Sequence, residues 1–116
     1  MPTVLLVADS EWVANDVAAS LATGDWTIDT VSDPRRAADV ALEQRPDAVL
    51  VDMQVGSMGG MAVIRDIRAR YGDDAPPRTV LLLDRDADRF LARRARADAS
   101  VIKPFAAAEL RTALSS

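Results

Sequence analysis

The chain contains no cysteine and no histidine, and these two absences exclude several kinds of chemistry. Without cysteine there are no disulfide bonds and no thiolate-ligated metal sites. Without histidine there is no imidazole general base, no histidine-ligated zinc and no serine–histidine triad. No hydrophobic run approaches the roughly 20 apolar residues that a membrane-spanning helix needs. The N-terminus shows no basic segment leading into an apolar signal sequence, so we expect a cytoplasmic protein.

The composition is ordinary for a globular domain. The chain has 116 residues, of which 49% are hydrophobic and 28% are charged. Its formal net charge of −4 argues against general binding to nucleic acid or to an anionic membrane. The chain stops directly after the last predicted helix. We therefore expect one domain over residues 1–116, with no effector domain in this chain.

Short apolar runs alternate with amphipathic segments along the whole chain. Strands are predicted over residues 3–8, 26–31, 48–52, 79–83 and 100–102. Helices are predicted after Ser10 as far as Gly24, over 34–44, over 60–71, from 86 or 87 to about 97, and over 106–114. Five strands alternating with five helices at this spacing indicate βαβ units. The pattern therefore predicts an α/β fold, a doubly wound parallel sheet with helices on both faces.

Four of the predicted strands end on or beside a charged residue: Asp9, Asp52, Asp84 and Lys103. Parallel strands end at one edge of a sheet, and sites in such folds form beyond that edge. Two neighbouring carboxylates would attract a hard cation such as Mg²⁺, and a lysine suits a phosphoryl oxygen or an Asp. For Asp52 taken alone, capping of a turn is an equally good interpretation.

The runs VLLVAD-S, VLVD-MQVGSMGG, VLLLD and IKPF resemble the receiver domain of two-component response regulators. The resemblance covers essentially the whole chain and implies a flavodoxin-like fold with strand order 2-1-3-4-5. It also implies a signalling domain and not an enzyme. Asp52 would be the phospho-acceptor, Asp9 and the backbone carbonyl of Gln54 would bind Mg²⁺ with it, and Lys103 would contact the phosphoryl group. The bond from Lys103 to Pro104 would be cis.

Five positions depart from that family pattern. Ala8 replaces one acid of the usual pair at the end of the first strand, and Gly56 replaces a proline in the loop after the acceptor. Asp84 stands where the family has Thr or Ser, Arg85 where it has a small residue, and Ser100 where it has an aromatic residue. The departures predict weak Mg²⁺ binding and the loss of the usual coupling between the phosphoryl group and the strand-five aromatic ring.

These departures favour an atypical receiver, a protein-interaction switch that works without phosphorylation or with little of it. The alternative is a conventional receiver that is phosphorylated on Asp52 with Mg²⁺. An aspartyl-phosphate hydrolase is a weaker third hypothesis, because no additional acid or base is evident. We also expect Asp84 to pair with Lys103, so that the lysine is engaged before any modification.

The predicted fourth helix carries a basic stripe, because Arg89, Arg93 and Arg96 fall at positions i, i+4 and i+7. Most such stripes are solvated surface, but this one could dock an acidic partner. The resemblance implies a histidine kinase or another signalling protein as partner. It also makes a homodimer possible through the fourth helix, fifth strand and fifth helix.

Overall fold

A computed structural model describes residues 2–115, and within them five parallel strands form one sheet. The strands are β1 (Thr3–Val7), β2 (Thr27–Val31), β3 (Ala48–Asp52), β4 (Arg78–Leu83) and β5 (Ala99–Ile102). Their order across the sheet is β2-β1-β3-β4-β5, as the resemblance implies. All five residues of β3 are buried, which is typical of a strand covered on both faces. The predicted flavodoxin-like fold is confirmed.

The helices follow the strands in alternation. They are α1 (Glu11–Leu21), α2 (Ala37–Gln44), α3 (Gly60–Tyr71), α4 (Arg89–Arg94) and α5 (Ala107–Ser115), with 3₁₀ turns at Pro34–Arg36 and Asp86–Asp88. Ser10 caps α1 by accepting a hydrogen bond from the Val13 amide at 3.4 Å. Asp33 caps the first 3₁₀ turn in the same way. No helix in the described part of the chain is long and apolar enough to cross a bilayer.

Two apolar layers cover the two faces of the sheet, because successive strand residues point to opposite sides. On one face, α2, α3 and α4 pack against side chains that include Leu5, Val49 and Leu81. On the other face, α1 and α5 pack against Val4 and Leu50 and their neighbours. Strand β2 lies at an edge and is only partly buried, as its mixed sequence predicts.

A reciprocal Asp–Thr contact fixes the start of the sheet at two places. Thr3 donates its backbone N–H to Asp47 Oδ2 at 2.7 Å, and the Asp47 amide donates to Thr3 Oγ1 at 3.2 Å. Thr79 and Asp98 repeat the arrangement, with the Thr79 amide 2.7 Å from Asp98 Oδ2. Asp47 and Asp98 also line a groove of about 660 Å³ at this edge, opposite the strand exits. These hydrogen bonds to Thr3 and Thr79 give both carboxylates a structural role.

Helix α4 is shorter than the sequence predicts, because it ends at Arg94 and not near Ala97. Arg96 takes a left-handed conformation, with φ of +64°, and the amide of Ala97 donates to Ala92 O at 3.0 Å. This is the bonding of a helix end that usually has glycine at the left-handed position. The early end lets Asp98 reach Thr79. The first helix also ends before Gly24, at the cap residue Ala22.

Candidate functional site

The four charged residues at the strand ends lie at one edge of the sheet, as predicted. Asp52 is the last residue of β3, while Asp9, Asp84 and Lys103 follow β1, β4 and β5. Strands β1, β3, β4 and β5 are consecutive neighbours in the sheet. Parallel pairing brings their carboxyl ends together, and the change of strand order between β1 and β3 opens a crevice there.

Asp52 is buried, with 2% of its surface exposed. Its Oδ1 atom accepts hydrogen bonds from Lys103 Nζ at 2.8 Å and from the Gln54 amide at 3.2 Å. A buried carboxylate is stable only with such compensation. Asp52 is therefore part of a buried ion pair. It does more than cap a turn, which was the alternative that the sequence alone left open.

Lys103 contacts a second carboxylate. Its Nζ lies 3.0 Å from Asp84 Oδ1, and the exposed fractions of the two side chains are 10% and 44%. Burial lowers the pKa of the Lys103 ammonium, but the hydrogen bonds and charges of Asp52 and Asp84 outweigh burial and raise that pKa above its usual value. The predicted pair between Asp84 and Lys103 is confirmed, and Lys103 keeps its contact with Asp52 as well.

The backbone holds Lys103 in place. The amide of Lys103 donates to Leu83 O at 2.8 Å, which continues the pairing of β5 with β4. The peptide bond between Lys103 and Pro104 is cis, as the resemblance implies. The lysine therefore leaves the sheet directly beside the residue that precedes Asp84.

Asp9 lies on the other side of the crevice and is exposed. Its Oδ2 atom accepts a hydrogen bond from the Gly56 amide at 2.8 Å, in the loop between β3 and α3. This contact was not predicted from the sequence, although glycine in place of the family's proline at position 56 supplies the N–H that makes it possible.

The donors at this edge are oxygen atoms, which suit a hard cation. Mg²⁺ is commonly bound through one or two carboxylates and several waters, and Asp9 and Asp52 provide two carboxylates. Across residues 2–115 no group of three or more Asp, Glu, His or Cys side chains is placed to hold a metal. By donor chemistry, the oxygen atoms of Asp9, Asp52 and the Gln54 carbonyl are the groups that would hold such a cation.

Arg85 and Ser100 have partners of their own outside the crevice. The Arg85 guanidinium, 72% exposed, donates to both oxygens of Asp88, at 3.1 Å and 2.8 Å. The Ser100 hydroxyl accepts from Arg89 Nη1 at 3.3 Å, and Arg89 Nε donates to Asp86 Oδ1 at 2.7 Å. The two Arg–Asp pairs have i,i+3 spacing, which is a pattern visible in the sequence.

The predicted stripe of Arg89, Arg93 and Arg96 on one helix is wrong. Arg96 lies beyond the end of α4, in its left-handed turn, and Arg89 is half-buried and bonded to Asp86. The cause is the early helix end, which removes the i+7 position from the helix. Arg93 remains exposed on α4, where Arg94 lies beside it.

Comparison with known proteins gives one consistent result. A family model described as "Response regulator receiver domain" matches residues 4–115. A response regulator, MprA, of Mycolicibacterium vanbaalenii is 33% identical over 107 residues, which cover 92% of this chain and 46% of that protein. A probable transcriptional regulatory protein, TcrX, of Mycobacterium tuberculosis is 35% identical over 111 residues, covering 93% and 46%. The chain thus spans about half the length of these curated relatives.

Solved structures agree with this comparison. The BeF3-activated N-terminal receiver domain of Klebsiella pneumoniae RstA has a TM-score of 0.81 and 28% identity, with coverage of 98% of this chain and 99% of that one. The receiver domain of the sensor histidine kinase PA1611 from Pseudomonas aeruginosa has a TM-score of 0.84 and 29% identity, with coverage of 97% and 93%. That structure has a magnesium ion coordinated in its active site cleft.

Proposed function

The chain belongs to the response regulator receiver domain family, and on that premise we propose that it is an interaction switch that accepts a phosphoryl group poorly or works without one. Members of this family are signalling domains and not enzymes in the usual sense, and they interact with histidine kinases or phosphotransfer proteins. Asp52 is the acceptor in this proposal, and Lys103 is the residue that contacts the phosphoryl group.

One observation carries the proposal, which is that Lys103 already holds two carboxylates. Its Nζ is 2.8 Å from Asp52 and 3.0 Å from Asp84. A phosphoryl group on Asp52 would need the same ammonium and would stand close to the Asp84 charge. Two unit charges ~4 Å apart interact by about 4 kcal/mol at an effective dielectric of ~20. Because Asp84 is 44% exposed, solvent reduces this to about 1 kcal/mol, which is about fivefold in an equilibrium.

The cation side of the crevice supports the same conclusion. Ala8 supplies no carboxylate, so Asp9 and Asp52 are the acids that face a cation, with the Gln54 carbonyl as a third ligand. We therefore expect Mg²⁺ to bind weakly. Ser100 has no ring to move, and its hydroxyl already accepts from Arg89. Asp84, Arg85 and Ser100 thus do not reproduce the usual switch.

Partners and location follow from the family and remain part of the proposal. A histidine kinase or another signalling protein is the expected partner, and α4, β5 and α5 form the face through which a homodimer would assemble. The formal net charge of −4 gives this domain no general attraction for nucleic acid. The cytoplasm is the compartment in which we place it.

The test is the rate at which a small phosphodonor labels Asp52 in the presence of Mg²⁺, measured by intact mass. The double variant Ala8→Asp with Asp84→Thr restores the family residues on both sides of the crevice. We expect it to label at least tenfold faster, since ~1.4 kcal/mol corresponds to that factor. Asp52→Asn is the blank, and Asp29→Thr, at an exposed acid of edge strand β2, is the matched control.

The second candidate is a conventional receiver, and the buried Asp52–Lys103 pair at 2.8 Å favours it. The same experiment distinguishes the two. Rapid labelling of the unmodified chain, with no gain in the double variant, would establish the conventional function and overturn the proposal.

A further inference from the structure

Asp9 connects two loops at the edge of the crevice. Its Oδ2 atom accepts from the Gly56 amide at 2.8 Å, across 47 residues of sequence. A hydrogen bond from an amide to an ionised carboxylate is charge-assisted and stronger than a neutral one. The contact fastens the middle of the loop over residues 53–59 to the end of β1.

The loop is also tied at both of its ends. The Gln54 amide donates to Asp52 Oδ1 at 3.2 Å, and the Gly60 amide donates to Met53 O at 3.0 Å. A loosened Asp9 contact would therefore release the centre of the loop while its ends stay attached.

Gly56 fits between two other loops at this point. Its φ is +53°, and a Cβ atom there would lie 3.0 Å from Pro34 Cγ and 3.3 Å from Pro34 Cδ. A methyl group at position 56 would require Pro34 or the loop to shift by a few tenths of an ångström, and the positive φ would be strained for any residue with a Cβ. The Asp9 hydrogen bond therefore depends on glycine at this position in two ways, through its φ angle and through the space beside Pro34.

We propose that Asp9 anchors this loop and that a divalent cation at the same carboxylate competes with the Gly56 amide. The inference rests on the proposed function, in which Asp9 is a cation ligand. Because position 8 is alanine, no second acid at the end of β1 can share the binding of the cation and the hydrogen bond to Gly56. A cation bound to Asp9 would reduce the negative charge that its carboxylate offers to the Gly56 amide. The hydrogen bond would weaken, and the loop would loosen.

The coupling is reciprocal, because any ligand that weakens a contact is itself weakened by that contact. The anchored loop therefore lowers the affinity for Mg²⁺. A substitution that detaches the loop and leaves Asp9 in place should raise that affinity, which is the opposite of what damage to a metal site produces.

The first measurement is Mg²⁺ affinity of Gly56→Ala, followed by titration with NMR. We expect binding about fivefold tighter than in the unmodified chain, the lower end of typical coupling. Gly72→Ala is the matched control, because Gly72 has φ of +58° and no atom within 4 Å of an added Cβ. It also places alanine at a positive φ, at the end of α3, and should leave Mg²⁺ affinity unchanged. Equal or weaker binding by Gly56→Ala would overturn the inference.

The second measurement is hydrogen exchange of the Gly56 amide. In the unmodified chain the amide should be protected, and saturating Mg²⁺ should reduce the protection. Asp9→Asn keeps an acceptor oxygen and should keep protection that Mg²⁺ does not change, whereas Asp9→Ala should lose it. Exchange that is equally fast in the unmodified chain and in Asp9→Ala would refute the anchor. These outcomes do not depend on whether Asp52 is phosphorylated, so they stand apart from the labelling test.

Discussion

Substitution of the one lysine in the chain tests how strongly the site depends on its ion pair. Lys103→Met keeps most of the side-chain length and removes the ammonium. The change leaves Asp52, whose side chain is 3% exposed, without its cation, and leaves Asp84 without a partner. We expect a large loss of stability, because an isolated charge in a buried position is strongly unfavourable.

The size of the loss follows from the burial of each pair. Breaking a buried pair by removing one partner costs about 3–5 kcal/mol. The Asp84 side chain is 44% exposed, so loss of the Lys103–Asp84 pair adds no more than ~1 kcal/mol to the destabilisation. A loss of about 4 kcal/mol is a large part of the roughly 5–15 kcal/mol that stabilises a typical domain.

The assay is urea unfolding at pH 7, followed by circular dichroism. With a slope of about 1–3 kcal/mol/M, the midpoint should fall by ~2 M. Arg35→Met is the control, since Arg35 and its partner Asp33 are 83% and 42% exposed and should contribute less than ~1 kcal/mol. The double variant Lys103→Met with Asp52→Asn should recover at least half of the loss. A loss below ~1 kcal/mol in the single variant would refute the reasoning.

The raised pKa of Lys103 adds a pH test of the same pair. Burial opposes the ammonium, but the two carboxylates outweigh it and raise its pKa above 10.5. A group with a raised pKa gives stability that is complete below its unfolded-state pKa and disappears as the pH passes its folded-state pKa. The unmodified chain should therefore lose more free energy of unfolding than Lys103→Met as the pH rises above about 10.5. Parallel curves for the two chains would contradict this assignment.

Two further predictions concern α3 and α4. Gly60→Ala should destabilise the fold by about 1–3 kcal/mol in urea unfolding, because the added Cβ would lie 2.7 Å from Asp52 O and 2.8 Å from Leu81 Cδ1. No loss would mean that the start of α3 can shift freely. Reversal of Arg93 and Arg94 to Glu should abolish capture of an acidic partner with no change in Tm, since both side chains are exposed. Capture that survives would identify these arginines as solvated surface only.

The sequence predicted the meeting of Asp52, Asp84 and Lys103 because strand pairing decides it. Alternating elements give a parallel sheet, and parallel strands deliver the residues at their ends to one edge. Register then brings Lys103 beside the end of β4, where its amide bonds Leu83 O. A long, flexible lysine reaches two nearby carboxylates without further constraint. Hydrophobic pattern and charge position were therefore sufficient to predict a shared edge, whereas the strand order that makes β4 and β5 neighbours came from the family resemblance.

The loop contact and the end of α4 were not predictable in this way. The bond from Gly56 to Asp9 depends on a left-handed backbone and on the space beside Pro34, neither of which is a pattern of residue types. The run after Phe90 has no glycine or proline to end a helix, so helical spacing predicts that α4 continues. The chain turns at the left-handed Arg96 instead, and Asp98 then contacts Thr79.

The number of charges at the site matches the family pattern, and only their placement differs. Three carboxylates and one lysine remain, but one acid, Asp84, follows β4 beside Lys103, and Ala8, directly after β1, supplies none. The two changes act on different partners of Asp52, the cation and the ammonium. Because both changes act through Asp52, their effects on labelling rate multiply only as far as the cation and the ammonium act on Asp52 independently. Ala8→Asp and Asp84→Thr should each give part of the gain in labelling, and a gain only in the double variant would show that the two sides are coupled through Asp52.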